Sequence, residues 1–581
     1  MIGQIASYSP QWFLPKIDLQ WCEKIVGEFQ LHPILAKIFV SRGFSDLDEI
    51  NKFLYAQLPD LYDPGVFGDI KKAVLRIITA LERREHILIY GDNDVDGITG
   101  IALLLELFTE LDVKVSYYVS GPLPGQQTLT ETLLDRFDSK IDLLITVDCG
   151  ITAGKDIKEL TNNGIDVIIT DHHQPTGKIP HCVAVLNPKL LNQNYSNREL
   201  TGVGVAFKLA HGIVNYLVSK QIISPNRIDL KTYLDLVALG TIADLGLLTG
   251  ENRILVRYGM KQLQNTPRVG IRQLCASLDI DYTEITTTDI ALKVAPRINS
   301  VGRVDDPSKG IDLLLVNDPE KINDLVRDLH EVNNSRQKME QKVFAEAEQM
   351  LLHNPDLLKN KALVLYSSDW HPRLVPIISS RLAKQYNRPV IIIALDESNT
   401  GKGSVRTIQE FPLLQTLKKC KDYFINYGGH DCAAGLIIHK DKINDFSKKF
   451  IHIANFCLKS IDIVPKLFLD AEVDFKDLNY ELLASLELLE PKGNGNPAPI
   501  FYCKVKQAWR PRIIAGQHLK LFLQQDDRVL EGIGFGMSNK CSFINSYFDQ
   551  KFAVAYTPQT VTFNGKKSMQ LLIKDIRLND S

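Results

Sequence analysis

The run Ile87-Leu88-Ile89-Tyr90-Gly91-Asp92-Asn93-Asp94-Val95-Asp96-Gly97 decides how this chain reads. Its apolar opening is too short for a helix and predicts a strand buried on both faces of a parallel sheet. Three aspartates follow at alternate positions, and Gly97 opens an apolar helix through Phe108. Two more apolar runs end the same way. Leu143–Val147 leads into Asp148, and Val167–Thr170 leads into Asp171-His172-His173. A further acid, Asp244, follows the helical stretch Leu230–Thr241. Open α/β sheets bind ligands beyond the carboxyl ends of their strands. Acids gathered on one such edge repel one another unless a cation holds them, so the pattern predicts a metal site.

Outward from this stretch, helix and strand alternate. Helices are expected at Lys71–Arg84, around Lys155–Asn163 and at Val203–Val218. That alternation predicts βαβ units and a parallel sheet. Residues 1–70 read as a helical arm ending in turns at Pro59 and Pro64-Gly65. Lys321–Leu352 has no Pro or Gly and reads as one long helix. A second α/β lobe follows, with strands at Ala362–Tyr366 and Val390–Ala394 and a helix near Ile377–Gln385. Short β segments then appear at Leu467–Val473, Ile500–Val505, Leu519–Gln524 and Met569–Ile573, as in a small β-barrel. The expected architecture is α/β multidomain: arm 1–70, parallel-sheet lobe 71–320, connecting helix 321–352, second α/β lobe 353–458, and OB-like β domain 459–581.

A chain of 581 residues is too long for one core. With 45% hydrophobic and 23% charged residues it is ordinary for a soluble globular protein. The net charge of −2 provides no global field for nucleic acid, so such binding needs local basic patches. Nine scattered cysteines without a CxxC pair fit a reduced, cytoplasmic setting. No signal-peptide pattern opens the chain, and no apolar run approaches the roughly 20 residues that span a bilayer.

Asp94 and Asp96 stand two apart in a tight turn, so both carboxylates can face one pocket. Asp148 and Asp244 add oxygen ligands and His172 an imidazole. That donor set suits Mn²⁺ or Mg²⁺ and, lacking cysteine, not structural zinc. Shared carboxylates can hold two cations about 3.5–4 Å apart, the spacing used for phosphoester hydrolysis. Singly, each residue has a blander explanation. A lone Asp after a strand is commonly a helix N-cap. The DxDxDG run imitates a calcium loop, but the twelfth loop position is Leu103 rather than Glu. The four sites together, in this order, are far more specific.

On these motifs the chain resembles the DHH phosphoesterase superfamily and, within it, the single-stranded-DNA-specific exonucleases. The resemblance runs nearly end to end. It includes Ala295-Pro296-Arg297-Ile298-Asn299-Ser300-Val301-Gly302-Arg303, Trp370-His371-Pro372, Gly428-Gly429-His430, Ala433-Ala434-Gly435, Leu488-Leu489-Glu490-Pro491 and Gly495-Asn496-Pro497. It implies that Asp94, Asp96, Asp148, His172 and Asp244 carry two ions, with Asp92 and His173 as supporting groups or alternative ligands close to the chemistry. It implies phosphate handling by Arg297, Asn299 and Arg303, and substrate-facing loops at Ser404, Arg406, Gly429 and His430. The β-rich tail resembles an OB-fold, where Trp509, Arg510, Arg512, His518, Lys520 and Phe522 offer stacking and phosphate contact. The bland alternative places Trp509 and Phe522 in the barrel core.

The implied activity is metal-dependent hydrolysis of single-stranded DNA, 5′ to 3′, releasing nucleoside 5′-monophosphates in repair and recombination. The rival readings are a small-nucleotide or oligonucleotide phosphoesterase, and a non-catalytic single-strand-binding scaffold of the same fold. Gly401-Lys402-Gly403-Ser404 lacks Walker A spacing, so strand separation falls to a separate helicase; a single-strand-binding protein is a further expected partner, and a membrane is not. Three departures from the family pattern stand out. Ser120–Thr128 lacks the usual arginine and Glu-Gly-Tyr-Gly stretch, Arg373-Leu374-Val375-Pro376 replaces a glycine-rich run, and Asn93 replaces an aromatic.

Overall fold

The computed structural model describes residues 9–121, 129–137, 140–175, 177–190, 195, 197–304, 306–548, 550–563 and 566–578. The chain forms two compact units. One comprises Ala56–Leu352 with Pro491–Asn496; the other comprises Met1–Tyr55, His353–Glu490 and Pro497–Ser581.

The first unit is built on five parallel strands: β1 (Ile87–Gly91), β2 (Val115–Val119), β3 (Leu143–Val147), β4 (Asp166–Thr170) and β5 (Ala184–Leu186), in the order β2-β1-β3-β4-β5. The apolar runs form strands because both faces are covered. Ile87, Leu88, Ile89, Leu143, Leu144 and Ile145 are all fully buried, each removal from water contributing about 1.5–3 kcal/mol. Helix α1 (Val95–Glu110) leaves β1, and α2 (Gly202–Ser219) and α3 (Leu234–Ala243) pack against it. The sequence reading of one helix over Leu230–Thr241 is corrected here: Leu230–Tyr233 is a 3₁₀ turn before α3. Helix α4 (Ala295–Val304) follows, and α5 (Pro319–His353) is the long helix expected from the Pro- and Gly-free stretch.

In the second unit, β6 (Leu363–Ser367), β7 (Val390–Leu395), β8 (Thr400–Arg406), β9 (Phe424–Gly429) and β10 (Ala433–His439) form a mixed sheet in the order β9-β10-β8-β7-β6. Only β6 and β7 run parallel. A five-stranded barrel closes β11 (Phe501–Ile514), β12 (His518–Gln525), β13 (Arg528–Gly534), β15 (Lys566–Leu578), β14 (Phe552–Phe563) and β11 again in a ring. Residues 17–54 contribute to this barrel's core. Ile25, Phe39 and Leu54 are buried in one cluster with Phe501, Leu521 and Tyr556, and the Trp12 indole donates to Asp575 Oδ2 at 2.8 Å.

Candidate metal centre

Parallel registry places the acids. Gly91 pairs with Val147, and Val147 with Thr170. The ladder continues one residue further: Asp92 N–H donates to Val147 O at 3.2 Å, Asp148 N–H to Thr170 O at 2.9 Å and Asp171 N–H to Leu186 O at 3.0 Å. Asp92, Asp148 and Asp171 therefore stand in a row at the carboxyl edge of the sheet. Asp92 and Asp148 flank the point where the strand order reverses, the usual ligand crevice of such sheets.

Backbone donors hold Asp92, Asp94, Asp96 and Asp171. Asp94 caps α1, its Oδ1 accepting from Asp96 N–H at 3.0 Å and Gly97 N–H at 3.1 Å. Asp96 accepts from Gly202 N–H at 2.6 Å and Val203 N–H at 2.8 Å, so the start of α2 anchors it. Asp92 Oδ1 accepts from Asn93 N–H at 2.8 Å and Ser120 Oγ at 2.7 Å. Asp148 sits in the left-handed region at φ +60°, which an aspartate tolerates better than most residues. Asp244 is the C-cap of α3. Asp171 organises the histidines: it accepts from the His172 and His173 N–H groups and contacts His173 Nδ1 at 2.8 Å.

The side chains converge. His172 Nε2 lies 3.1 Å from Asp148 Oδ1, 3.7 Å from Asp244 Oδ2 and 3.8 Å from Asp96 Oδ2. Ligand atoms within 4.8 Å of one another form three overlapping sets: Asp92, Asp94 and Asp148; Asp96, His172 and Asp244; and Asp148, His172 and His173. Asp148 Oδ1 is buried and has no hydrogen-bond partner among the described residues, although the His172 imidazole nitrogen stands 3.1 Å away. Lone pairs facing a common point without a hydrogen between them are what ligands of one cation present, so the donors fit a divalent metal.

Electrostatics agree. Burial and the neighbouring acids raise Asp94 above the usual carboxylate range and push Asp96 and Asp148 well above it. Asp244 is pushed up to about 7 by burial and by Asp94. Asp171 runs the other way: burial opposes its charge, but His173 and nearby N–H donors outweigh that and hold it low. Its hydrogen bond in turn raises His173.

Glycines admit this crowding. A Cβ on Gly240 would lie 2.3 Å from Thr99 Oγ1 and 3.0 Å from Asp96 Oδ1. Gly240→Ala is therefore expected to cost about 1–3 kcal/mol of stability and to weaken metal binding. Thermal unfolding and Mn²⁺ titration check this; unchanged values in both would refute the tight packing.

The remaining sequence-predicted residues fall in two places. On α4, Asn299 Oδ1 accepts from Val95 N–H at 2.9 Å, so this amide steadies the acidic turn. Arg297 Nη1 donates to Lys293 O at 2.7 Å, while its buried Nε has no partner among the described residues. Burial and Arg336 lower its pKa. Arg303 lies on the same helix, with its side chain outside the described set. In the second unit, Ser404, Arg406 and Gly429 line an open concavity of about 500 Å³ together with Lys402 and Arg373. Arg406 Nη1 donates to Ser404 Oγ at 3.1 Å. Gly429 has φ +154° and admits Ala433 O, and His430 N–H donates to that carbonyl at 2.7 Å. On the barrel, Trp509 is exposed and meets Phe522 edge-on at 5.2 Å, and exposed Phe535 meets His518 at 5.0 Å. Trp509 is thus not barrel core.

Family models match the DHH family N-terminal domain at residues 86–241, the DHHA1 domain at 359–455 and the RecJ OB domain at 469–575. The single-stranded-DNA-specific exonuclease RecJ of Bacillus subtilis is 31% identical, over 98% of this chain and 71% of that protein. The chain belongs to the RecJ family. The Escherichia coli RecJ is 30% identical over 94% of this chain and 96% of its own length. The crystal structure of Thermus thermophilus RecJ with Mn²⁺ superposes with a TM-score of 0.82 at 27% identity, covering 99% of this chain and 80% of that one.

Against the RecJ pattern, the residues that sequence reasoning left unassigned are mainly supports. Asp171, Gly202 and Gly240 pack against ligand candidates without being candidates themselves, and only their adjacency to the motifs hints at this. Arg373, a departure from the RecJ pattern, lines the same concavity as Ser404 and Arg406. Of the departure at Ser120–Thr128, residues 122–128 lie outside the described residues.

Proposed function

We propose that this RecJ-family chain is a metal-dependent exonuclease of single-stranded DNA, working 5′ to 3′ and releasing nucleoside 5′-monophosphates. The observation that carries the reading is the buried Asp148 Oδ1, without a hydrogen bond among the described residues, facing His172 Nε2 among mutually repelling acids. Asp94, Asp96, Asp148, His172 and Asp244 are the residues to hold two Mn²⁺ or Mg²⁺ ions, with Asp92 beside them. When bound, the ions supply Lewis-acid activation of water and neutralise charge on the scissile phosphate.

The chain's own groups do the rest. Asp171 fixes the ring of His173, whose raised pKa suits it to hold a proton at the edge of the site. Arg297 offers a phosphodiester an N–H that has no partner among the described residues, and the family resemblance adds Arg303 to that role. Ser404, Arg406 and the Gly429–His430 turn form a second phosphate-handling surface, with glycine letting backbone approach the strand. Trp509 and Phe535 provide stacking faces beside exposed Arg510 and Arg512. A separate helicase and a single-strand-binding protein would supply the substrate, in a reduced cytoplasmic setting that suits the free cysteines.

The test is a product assay on 5′- and 3′-labelled single and double strands, with and without Mn²⁺. Mononucleotides released from the 5′ end of single strands are expected; exclusive turnover of dinucleotides would overturn the reading. Trp509→Ala is expected to cost about 1–3 kcal/mol of strand affinity. Neutralising Arg510 or Arg512 is expected to reduce the salt slope of binding by about 1 each. Equilibrium binding over a salt series measures both, and salt-independent affinity would contradict a phosphate-gripping face.

A further inference from the structure

A six-residue turn reaches the metal centre from far along the sequence. Pro491–Asn496 belongs to the same unit as the acids, although the residues on either side of it do not. The turn is internally stiff. Gly493 and Asn496 exchange backbone hydrogen bonds at 2.9 and 3.1 Å, and the buried Asn496 donates its amide to Pro491 O at 2.9 Å. Gly495 takes φ +76°. Two partners pin its first residues: Thr287 Oγ1 donates to Lys492 O at 2.6 Å and Arg253 Nη1 to Pro491 O at 3.3 Å.

What it grips is the loop that follows Asp244. Helix α3 ends with Leu245 at φ +56° and Gly246 N–H bonded back to Thr241 O at 2.9 Å. That closure is usually given to Gly or Asn; a leucine there costs about 1–2 kcal/mol and needs support from its surroundings. Asn494 supplies it from both ends. Its Nδ2 donates to Leu245 O at 2.6 Å, and its own carbonyl accepts from Leu248 N–H at 2.8 Å. Gly493 sits so close that a Cβ would lie 2.7 Å from Leu248 Cδ1. The residue before this clamped loop is Asp244, whose Oδ2 stands 3.7 Å from His172 Nε2.

We propose that Asn494 is a positioning residue of the metal centre: it fixes the strained Leu245–Leu248 loop and thereby the carboxylate of Asp244. The proposal rests on the reading of Asp244 as a ligand. Groups that orient ligands typically account for 10–100-fold in metal affinity or activity, about the scale at stake here. Asn494 is surface-exposed and lies outside the hydrophobic core, so its loss leaves the fold standing.

The test titrates Mn²⁺ into the full-length wild type, Asn494→Ala and Asn494→Asp, read by calorimetry and by electron paramagnetic resonance of the bound ion. Alanine removes the donor; aspartate places an oxygen against Leu245 O. The weaker Mn²⁺ dissociation constant is expected to rise about tenfold in Asn494→Ala and further in Asn494→Asp, with an altered resonance spectrum. Nuclease kcat at limiting Mn²⁺ should fall and recover at high Mn²⁺, while KM for single strands stays constant. A wild type that binds Mn²⁺ with both variants indistinguishable from it overturns the positioning role alone. A wild type that binds no Mn²⁺ overturns the metal reading and this proposal with it.

Discussion

Asp148→Asn is expected to abolish strand hydrolysis, by about 10³-fold or more, while making the metal-free protein more stable at neutral pH. The two effects have one cause. Asp148 belongs to two of the three ligand sets and faces His172 at 3.1 Å, so its loss removes an oxygen from both parts of the centre. Losing a single preorganised charge-stabilising group costs about 10²–10³ in rate, and a shared ligand affects both cations. Without metal the same oxygen is a liability. Burial first, then Asp96, Asp94, Asp92 and Asp244, push its carboxyl well above the ordinary range. Replacing it by an amide of equal volume relieves that repulsion, and a tenfold change in proton affinity is worth about 1.4 kcal/mol. Nuclease assays and thermal unfolding in chelator measure the pair. Wild-type turnover would remove Asp148 from the site; a variant that unfolds earlier in chelator would show the carboxylate to be structural.

The parts legible in the sequence are those fixed by local chemistry. Ile87–Tyr90 and Leu143–Val147 are largely apolar runs, with an acid one glycine beyond the first and directly after the second, and parallel pairing needs nothing more to line those acids up. The helix Pro319–His353 is legible from Lys321–Leu352, which holds no Pro or Gly. What stayed hidden depends on contacts distant in sequence. Nothing local to Asn299, expected to handle phosphate with two arginines, signals that its Oδ1 accepts from Val95 N–H, 204 positions away. The barrel strands Arg528–Gly534 and Phe552–Phe563 have weak alternation and are defined by ring closure. Nothing in residues 1–55 signals that Phe39 and Leu54 join the barrel's core, because their partners lie more than 400 positions on. Nothing local to Asn494 signals its contact with Leu245, 249 positions earlier, for the same reason.

Metal-free protein is expected to lose stability as pH rises from about 5 to about 8, and bound Mn²⁺ is expected to remove most of that loss. The sign follows from where each carboxyl titrates. Asp94, Asp96, Asp148 and Asp244 have folded pKa values above the unfolded value near 4, so the folded state holds more protons between them. Stability then falls with pH across that window, which for Asp244 closes at about 7. His173 adds to the fall: raised by Asp171, it stabilises the fold below its unfolded pKa and loses this as pH passes its folded value. Asp171, held low, contributes a stability already complete at pH 5 and adds no slope. Asp244, lifted from the ordinary carboxylate value to about 7, alone corresponds to about 4 kcal/mol. A cation displaces those protons, so metal affinity must climb through the same window in which metal-free stability declines. Unfolding temperatures from pH 5 to 8, in chelator and in Mn²⁺, decide the matter. Two parallel, flat profiles would mean that the acids do not share one buried site.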